Sequence, residues 1–207
     1  MFKKLRQKLF AKSFSKKEKL SDQIYGDVKR ELFSDISGIV LEIGPGTGSN
    51  FFYYPSGISW VGIEPNVFMN KFLKEKINGR NDIKSEIKIG SAENIDLPDS
   101  SVDFIVSTLV LCSVKDVNKV LAEIKRILKP GGKFIFIEHV VAPKKTFLHF
   151  FQNILTPFFK ITADNCHLNR DILSYIKNNF NEVEYNEFIP KYKLGFLTPH
   201  IIGYAKK

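Results

Sequence analysis

The sequence predicts an α/β fold in which a mostly parallel sheet carries helices on both faces. Short apolar runs alternate with amphipathic stretches along the chain, which is typical of repeated strand–helix units. The first apolar run ends in a glycine-rich turn at Gly44–Gly48, as expected where a strand enters a ligand-binding loop. With 207 residues, 43% of them hydrophobic, the chain can bury one sizeable core. We therefore expect one domain at 21–207 after an extension at 1–20.

The elements follow from the apolar pattern in chain order. A first helix is expected near Ser21–Ile36. The predicted strands are Ile39–Ile43, Trp60–Glu64, Glu86–Gly90, Val102–Ser107, Lys133–Glu138, Glu182–Phe188 and His200–Lys206. Further helices are expected directly after the glycine turn, at 67–77, along the stripe from Val117 to Leu128, and at Asp171–Phe180.

Two acidic residues flank the glycine turn in a pattern typical of nucleoside binding. Glu42 directly precedes the turn formed by Gly44, Gly46 and Gly48, and Glu64 ends the next apolar run, 20 residues beyond Gly44. A turn without side chains lets a ligand approach the backbone, and a carboxylate at the second strand end can accept both ribose hydroxyls. The sequence therefore predicts a nucleoside cofactor at this edge of the sheet.

The details of the turn favour S-adenosylmethionine, with S-adenosylhomocysteine as its product. Dinucleotide sites use Gly-x-Gly-x-x-Gly, but the third glycine position holds Ser49. A phosphate loop needs Gly-Lys-Ser/Thr, which the sequence lacks. Glu42 would repel a pyrophosphate but suits the ammonium group of a cofactor with an amino-acid end. The alternative is an ordinary strand–turn–helix that binds no ligand.

The other cofactor-binding candidates lie along the same strand ends. They are Pro65 beside Glu64, Ala92 and Glu93 at the adenine, Ser107 and Thr108 beneath the sulfonium, and Tyr25 closing over it. For Tyr25, simple core packing is an equal alternative.

These motifs, with the loop Leu97–Ser101 and the turn Pro130–Gly132 before later strands, resemble the class I S-adenosylmethionine-dependent methyltransferases. The resemblance extends from Ile36 to Lys206. It implies a Rossmann-like fold with a seven-stranded, mostly parallel sheet, whose last two strands form an antiparallel edge.

Shorter motifs resemble the methyltransferase-like seven group, which are small alkyl-thiol S-methyltransferases attached to membranes. They are Lys29–Ser34, Ser49–Phe51 with Tyr54-Pro55, Thr108–Val114 around Cys112, Glu138–Val140, Asp164-x-Cys166-x-Leu168-x-Arg170, and Pro199-His200-Ile201-x-Gly203. The resemblance implies methyl transfer to a small thiol. Enzymes that methylate lipids or quinones share this framework and remain an alternative; an RNA substrate is a more distant one.

Glu138 and His139 follow the fifth strand on the acceptor side and are the catalytic candidates. A thiol reacts as its thiolate, and a histidine with an ordinary pKa of about 6.5 can accept the proton. A structural histidine is the alternative. Cys112 and Cys166 are expected to be small buried side chains, and no spacing among the four histidines predicts a metal site.

The segment 142–169 interrupts the alternation of strands and helices. It is rich in aromatic residues, namely Phe147, Phe150, Phe151, Phe158 and Phe159. We interpret it as a substrate cap with an apolar inner wall, which suits an apolar small-molecule acceptor. Ordinary helix packing is the alternative.

The positive charge is concentrated at the N-terminus. Of the formal net charge of +9, residues 1–20 carry +7, from eight bases and one acid. The remainder is close to neutral, so no nucleic-acid-binding face is expected. Phe2, Leu5, Leu9 and Phe14 recur among the bases at near-helical spacing, which predicts an amphipathic helix that contacts an anionic membrane surface. A lid over the cofactor and a solvated tail are the alternatives.

The two cysteines form no disulfide framework, and the sequence shows no signal peptide and no apolar run of the ~20 residues that a membrane-spanning helix needs. We therefore expect a cytoplasmic protein, with any membrane contact peripheral.

Overall fold

A single seven-stranded sheet organises the chain in the computed structural model, which describes residues 2–192 and 195–207. Its strand order is β3-β2-β1-β4-β5-β7-β6. The strands are β1 Ile39–Ile43, β2 Ser59–Ile63, β3 Lys84–Lys88, β4 Val102–Thr108, β5 Leu128–His139, β6 Glu182–Phe188 and β7 His200–Lys206. β1 to β5 pair in parallel, whereas β7 is antiparallel to both β5 and β6. The predicted sheet with its antiparallel edge is confirmed.

The helices lie on both faces of the sheet. They are α1 Phe2–Ser15, α2 Glu18–Phe33, α3 Asn70–Asn78, α4 Val117–Ile127, α5 Phe147–Thr162 and α6 Ile172–Asn179. α2 begins inside the segment predicted as an extension. Within the described residues, none of these helices is both long and apolar enough to cross a bilayer.

The prediction of a helix directly after the glycine turn was wrong. The chain there makes turns and then one short 3-10 helix, Phe51–Tyr53. Phe51 and Tyr54 are buried and pack edge-on to each other, and Phe51 also packs against Trp60. Because these side chains anchor the segment to the core at close intervals, it follows the surface of the core instead of continuing as a helix.

The fifth strand begins earlier than its apolar residues indicate. β5 starts at Leu128, which pairs with Val102 across an irregularity in the register, and it includes the turn residues Pro130–Gly132 that were predicted to precede it. Backbone pairing with β4 extends the strand here, where the side chains carry no alternating pattern.

Buried side chains cover both faces of the sheet. On one face α4 and α6 pack against residues such as Leu41, Ile105 and Phe134. On the other face α2 packs against Val40 and Trp60. Parallel strands that are buried on both faces have near-continuous apolar sequences, as β1 and β4 do. The strand order reverses between β1 and β4, and open α/β sheets bind ligands beyond the carboxyl ends of the strands at such a switch point.

Candidate cofactor and acceptor site

The glycine loop lies at the switch point and could not have this backbone with larger residues. Gly44 and Gly46 have φ values of 60° and 57°, in the left-handed region that favours glycine. A Cβ at Gly44 would lie 2.7 Å from Cγ2 of Val110, in the loop after β4, and a Cβ at Gly46 would lie 3.6 Å from Cε1 of Phe14 in α1. The loop is therefore packed between two other segments of the chain.

Glu64 follows β2 and binds the glycine loop directly. The backbone N–H of Gly46 donates to Oε2 at 2.9 Å, and that of Asn66 donates to Oε1 at 2.8 Å. The side chain is buried, and burial raises the pKa of Glu64 to about 7 against the opposing effect of these two donors. Each oxygen keeps a lone pair, so the carboxylate can still accept ribose hydroxyls; that role stays a prediction.

Glu42 lies beneath the loop and is satisfied by the protein. Its carboxylate accepts hydrogen bonds from Asn50 Nδ2 at 2.8 Å, Tyr54 OH at 2.9 Å and Trp60 Nε1 at 3.0 Å. Burial raises the pKa of Glu42, and these donors oppose the rise. The observed role of Glu42 is to shape the loop; contact with the methionine end remains a prediction.

Sequence reasoning missed the residues that hold Glu42. The signals that could have found them are the single tryptophan of the chain, Trp60, and a polar residue, Asn50, that starts an aromatic run. Lys29 was also missed. It is fully buried, with Nζ 3.4 Å from the carbonyl oxygen of Ser49, and burial lowers its pKa to about 8 although the Glu42 carboxylate opposes this.

The cradle fits S-adenosylmethionine. It combines a glycine-rich loop, the buried carboxylate of Glu64, and two buried polar atoms, Thr47 Oγ1 and Asn50 Oδ1, that have no hydrogen-bond partner among the described residues. Buried polar groups are almost always hydrogen-bonded, so these atoms suit a polar ligand at the loop. The nucleoside would bind against Glu64, and the amino-acid end against the loop.

The predicted adenine residues lie in the loop after β3. Ala92 is buried and belongs to the same hydrophobic core as Ile63, at the end of β2. Glu93 Oε1 accepts the backbone N–H of Lys115 at 2.8 Å, which fixes the start of the segment before α4. Pro65 is exposed beside Glu64. Their contacts with adenine remain predictions.

Ser107 and Thr108 end β4 but point to different partners. Ser107 Oγ donates to Oε1 of Glu138 at 2.5 Å, whereas Thr108 Oγ1 accepts from Asn50 Nδ2 at 3.0 Å. Thr108 therefore connects β4 to the glycine loop, and Ser107 connects β4 to the end of β5. Neither contact tests their predicted position beneath the sulfonium.

Glu138 is fully buried and holds the loop after β4. Its Oε1 accepts from the backbone N–H groups of Val110 at 3.0 Å and Leu111 at 3.1 Å, as well as from Ser107. Within the part of the chain that the structure describes, Oε2 has no hydrogen-bond partner. Burial raises the pKa of Glu138, opposed by these donors. The observed contacts assign Glu138 a positioning role; direct catalysis remains a prediction.

Tyr25 and His200 form a buried pair above the acceptor side. His200 Nδ1 lies against the carbonyl oxygen of Thr198, and because a carbonyl only accepts, Nδ1 carries the proton. Nε2 is then the acceptor for the Tyr25 hydroxyl, 2.8 Å away. Burial, together with neighbouring His139, lowers the pKa of His200 to about 4, so the pair is neutral at physiological pH.

His139 lies between two buried cysteines. Its Nε2 is 3.1 Å from Sγ of Cys166, and Cys112, His139 and Cys166 place their ligand atoms within 4.8 Å of one another. Burial alone would lower the pKa of His139, but Cys112 and the Glu138 carboxylate outweigh burial and raise it. The three residues come from separate elements, so no sequence spacing indicated the cluster.

The predicted apolar inner wall of the cap was wrong for most of its aromatic residues. On α5, Phe147, Phe150, Phe151 and Phe158 are 49–87% exposed. The inward face instead buries Gln152 and Thr156. Gln152 accepts from the backbone N–H of Ala142 at 2.8 Å and donates to the carbonyl oxygen of Leu197 at 3.0 Å. These backbone contacts select a polar inner face and turn the phenylalanines outward.

α1 lies over the glycine loop, and Phe14 of the predicted apolar face packs against the loop at Gly46. Ala11 is buried, and the carbonyl oxygen of Gln7 accepts from Asn66 Nδ2 at 3.2 Å. Leu5 and Leu9 of the predicted apolar face are 54% and 59% exposed. The side chain of Phe2, also in that pattern, lies outside the described residues. The helix therefore covers the cofactor loop and exposes its leucines.

Comparison with known proteins agrees with this site. A family model described as a methyltransferase domain matches residues 41–136. Thiol S-methyltransferase TMT1B of Rattus norvegicus is 40% identical over 190 residues, covering 86% of this chain and 78% of that protein, and TMT1A of Homo sapiens is 37% identical with the same coverage. An S-adenosylmethionine-dependent methyltransferase structure from Thermotoga maritima, 20% identical, superimposes with a TM-score of 0.69 over 97% of this chain and 99% of that one.

The glycine loop, its acids and these relatives agree on one enzyme class and one cofactor, S-adenosylmethionine. The chain belongs to the class I S-adenosylmethionine-dependent methyltransferases, in the family that includes the thiol S-methyltransferases TMT1A and TMT1B.

Proposed function

We propose that the methyl acceptor of this enzyme is the sulfur of a small, apolar thiol. The observation that carries the proposal is the 37–40% identity to thiol S-methyltransferases over 86% of the chain, which extends well beyond the cofactor-binding region. Acceptor contacts in this fold come from the segments outside that region, so their similarity bears on the acceptor itself. No feature favours a nucleic-acid substrate.

Bound S-adenosylmethionine supplies an already activated methyl group, so the protein mainly aligns the acceptor and excludes water. The acceptor side, around Tyr25, His139 and His200, is buried. His139 is the titratable group best suited to take a thiol proton, because its pKa is raised from its ordinary value by Cys112 and Glu138 despite burial. Tyr25 and His200 are hydrogen-bonded to each other and form an uncharged side of this buried region.

The test is release of S-adenosylhomocysteine with a panel of acceptors: alkyl thiols, quinols, phospholipid head groups and RNA. We expect turnover with an alkyl thiol and none with the alcohol of equal chain length, because a neutral hydroxyl is a far weaker nucleophile than a partly ionised thiol. The Glu64→Ala variant serves as the cofactor-binding control. Turnover on a quinol or lipid without any on thiols would instead support the alternative acceptors.

We also propose a cytoplasmic protein that contacts membranes peripherally, through residues 1–20 and the outer face of α5. Exposed apolar side chains recur along α5 at helical spacing: Phe147, Phe150, Phe151, Ile154, Phe158 and Ile161. α1 adds exposed Leu5 and Leu9 among its bases, and Arg6 of α1 lies 4.0 Å from Asp164 just beyond α5. An apolar stripe beside positive charge suits an anionic membrane surface.

Removing residues 1–16 separates the roles of α1 in membrane contact and in cofactor binding. We expect the full chain to float with phosphatidylserine-containing vesicles and the truncated chain to float less, because the basic residues are gone. S-adenosylhomocysteine affinity, measured by calorimetry, should also fall, because α1 covers Gly46. Phe147→Ser with Phe158→Ser is the matched variant, which should lose flotation and keep affinity. Unchanged flotation in both variants would contradict membrane contact.

A further inference from the structure

We propose that Cys112, His139 and Cys166 bind a zinc ion whose fourth ligand is the sulfur of the acceptor thiol. This inference rests on the proposed function and changes one part of it, because His139 becomes a zinc ligand and no longer takes the thiol proton. The zinc would hold the acceptor as a thiolate beside the methyl donor.

The donor atoms already have the spacing of a zinc site. Both sulfurs and a ring nitrogen of His139 lie within 4.8 Å of one another. Zinc binds sulfur at about 2.3 Å and imidazole nitrogen at about 2.0–2.1 Å, so tetrahedral ligands stand ~3.5–3.8 Å apart. The three residues are only 3%, 5% and 8% exposed. Small side-chain shifts are enough to enclose the ion.

The donor set points to zinc with one open position. Two thiolates and an imidazole are ligands that zinc prefers, and zinc sites with three protein ligands are typically catalytic, because the fourth position takes water or substrate. In the described part of the chain, no further His, Cys, Asp or Glu joins this group. The geometry therefore leaves the fourth position for an external ligand.

The fold brings the ligands together from three elements. Cys112 lies in the loop after β4, His139 is the last residue of β5, and Cys166 follows α5. β4 and β5 are parallel neighbours, so the loop after β4 and the end of β5 meet at one edge of the sheet. The chain turns back after α5, and there Cys166 contributes the second sulfur.

Backbone contacts fix the two cysteines against each other. The N–H of His167 donates to the carbonyl oxygen of Cys112 at 2.9 Å, and Asn165 Nδ2 donates to that of Ser113 at 2.7 Å. Asp164 and Asn165 have φ values of 48° and 69°. Two consecutive non-glycine residues in the left-handed region are uncommon, and this turn brings Cys166 toward Cys112.

Charge balance favours the ion in this buried position. Cys112 and Cys166 are both buried, where a thiolate without a neighbouring cation is costly. A dication with two thiolates is neutral, which lowers the cost of burial. A third thiolate would make the site anionic and attractive to the cationic sulfonium. Arg170 provides a nearby positive charge, with its guanidinium donating to the carbonyl oxygen of Leu111 at 2.6 Å.

The loop that carries Cys112 also packs against the glycine loop. Val110, two residues before Cys112, lies so close to Gly44 that a Cβ there would be 2.7 Å from Val110 Cγ2. A zinc-bound hydroxide takes the proton of the incoming thiol and leaves as water, so that a zinc thiolate forms. The acceptor sulfur then uses a lone pair to bond the methyl carbon, and the carbon–sulfonium bond breaks with its electron pair on the departing sulfur. The neutral thioether product is a weak ligand and dissociates.

The first test is metal content. Protein purified under reducing conditions without chelators should contain about one zinc ion per chain by elemental analysis. Cys112→Ala and Cys166→Ala should lower zinc content by about tenfold or more, whereas His149→Gln, at a cap histidine outside the cluster, should not. S-adenosylhomocysteine binding in each variant verifies folding. Reduced, folded wild-type protein that takes up neither added zinc nor added cobalt would overturn the site.

The second test is direct coordination of the acceptor. Cobalt-substituted wild-type protein should show the visible bands of a tetrahedral site and thiolate-to-cobalt charge transfer. An alkyl thiol should strengthen the charge transfer, and the matching alcohol should not. Cobalt bands that do not change when the thiol is added would overturn the proposal that the acceptor sulfur is the fourth ligand.

Metal-free protein distinguishes this inference from the proposed function. If metal-free, folded enzyme methylates thiols as fast as the zinc form, the zinc inference is wrong and thiol methylation stands. If the zinc-loaded enzyme methylates no thiol, the proposed function fails.

Discussion

Glu138→Ala is expected to lower the stability of the protein by about 2–6 kcal/mol. The substitution leaves the backbone N–H groups of Val110 and Leu111 without their acceptor, and each buried unsatisfied donor costs about 1–3 kcal/mol. For a chain of this size each kcal/mol lowers Tm by about 2–4 °C. Calorimetric melting with S-adenosylhomocysteine absent measures the change.

Glu138→Gln is the matched control, because its side-chain oxygen can still accept from both N–H groups. We expect it to keep most of the stability that alanine loses. The pair of variants also separates the two roles considered for Glu138. If both variants melt like the wild type but lose activity, the carboxylate acts in catalysis and the loop does not depend on it. If stability and activity fall together in the alanine variant alone, its role is to position the loop that carries Cys112.

Glu64→Ala is expected to weaken S-adenosylhomocysteine binding by about 1.5–3 kcal/mol, the range for hydrogen bonds to a charged group. This corresponds to an increase of about 10- to 150-fold in Kd. The substitution removes the predicted acceptor for the ribose hydroxyls and also releases the N–H of Gly46. Glu86→Ala, an exposed acid on the neighbouring strand β3, is the control that should bind normally. Unchanged affinity in the Glu64 variant would refute its assignment to the ribose.

The pKa of Glu64 makes the same binding step sensitive to pH. Burial raises the pKa of Glu64 to about 7, so the carboxyl is mostly protonated below that pH and mostly ionised above it. If the ionised form binds the ribose, affinity should fall about tenfold between about pH 8 and about pH 6. Calorimetry across this range should show the slope in wild type and not in Glu64→Gln. A slope that persists in the glutamine variant would assign the titration to another group.

The raised pKa of Glu64 makes folding stability depend on pH in the opposite direction from cofactor binding. The folded state holds this proton more tightly than the unfolded chain, whose glutamate has a pKa of 4.5. The contribution to stability is therefore complete below that unfolded value and is lost as pH rises through about 7. In this pH range, ionisation of Glu64 therefore strengthens cofactor binding and lowers the stability of the folded state.

Local sequence pattern was sufficient for the sheet and for the position of the cofactor loop. Ile39–Ile43, Glu182–Phe188 and His200–Lys206 were predicted with the bounds that the structure has. β1 and β7 are mostly buried and show this in their own apolar residues, and a left-handed turn favours glycine whatever lies around it. Glu64 was predicted at the loop because a parallel strand end and its acid are adjacent in sequence.

The sequence by itself therefore determined the strands and the cofactor loop, because each depends on residues within one short segment, and its resemblance to a known family implied the enzyme class and the antiparallel edge. Only the tertiary structure decided which face of α5 is buried and what surrounds His139. Backbone groups of Ala142 and Leu197 select the inner face of α5, and hydrophobicity alone predicted the opposite face. Cys112, His139 and Cys166 lie on three elements, and His139 and Cys166 are 27 positions apart in the sequence. Such a cluster exists only because parallel strands end at one edge of the sheet and the segment after α5 folds back over that edge.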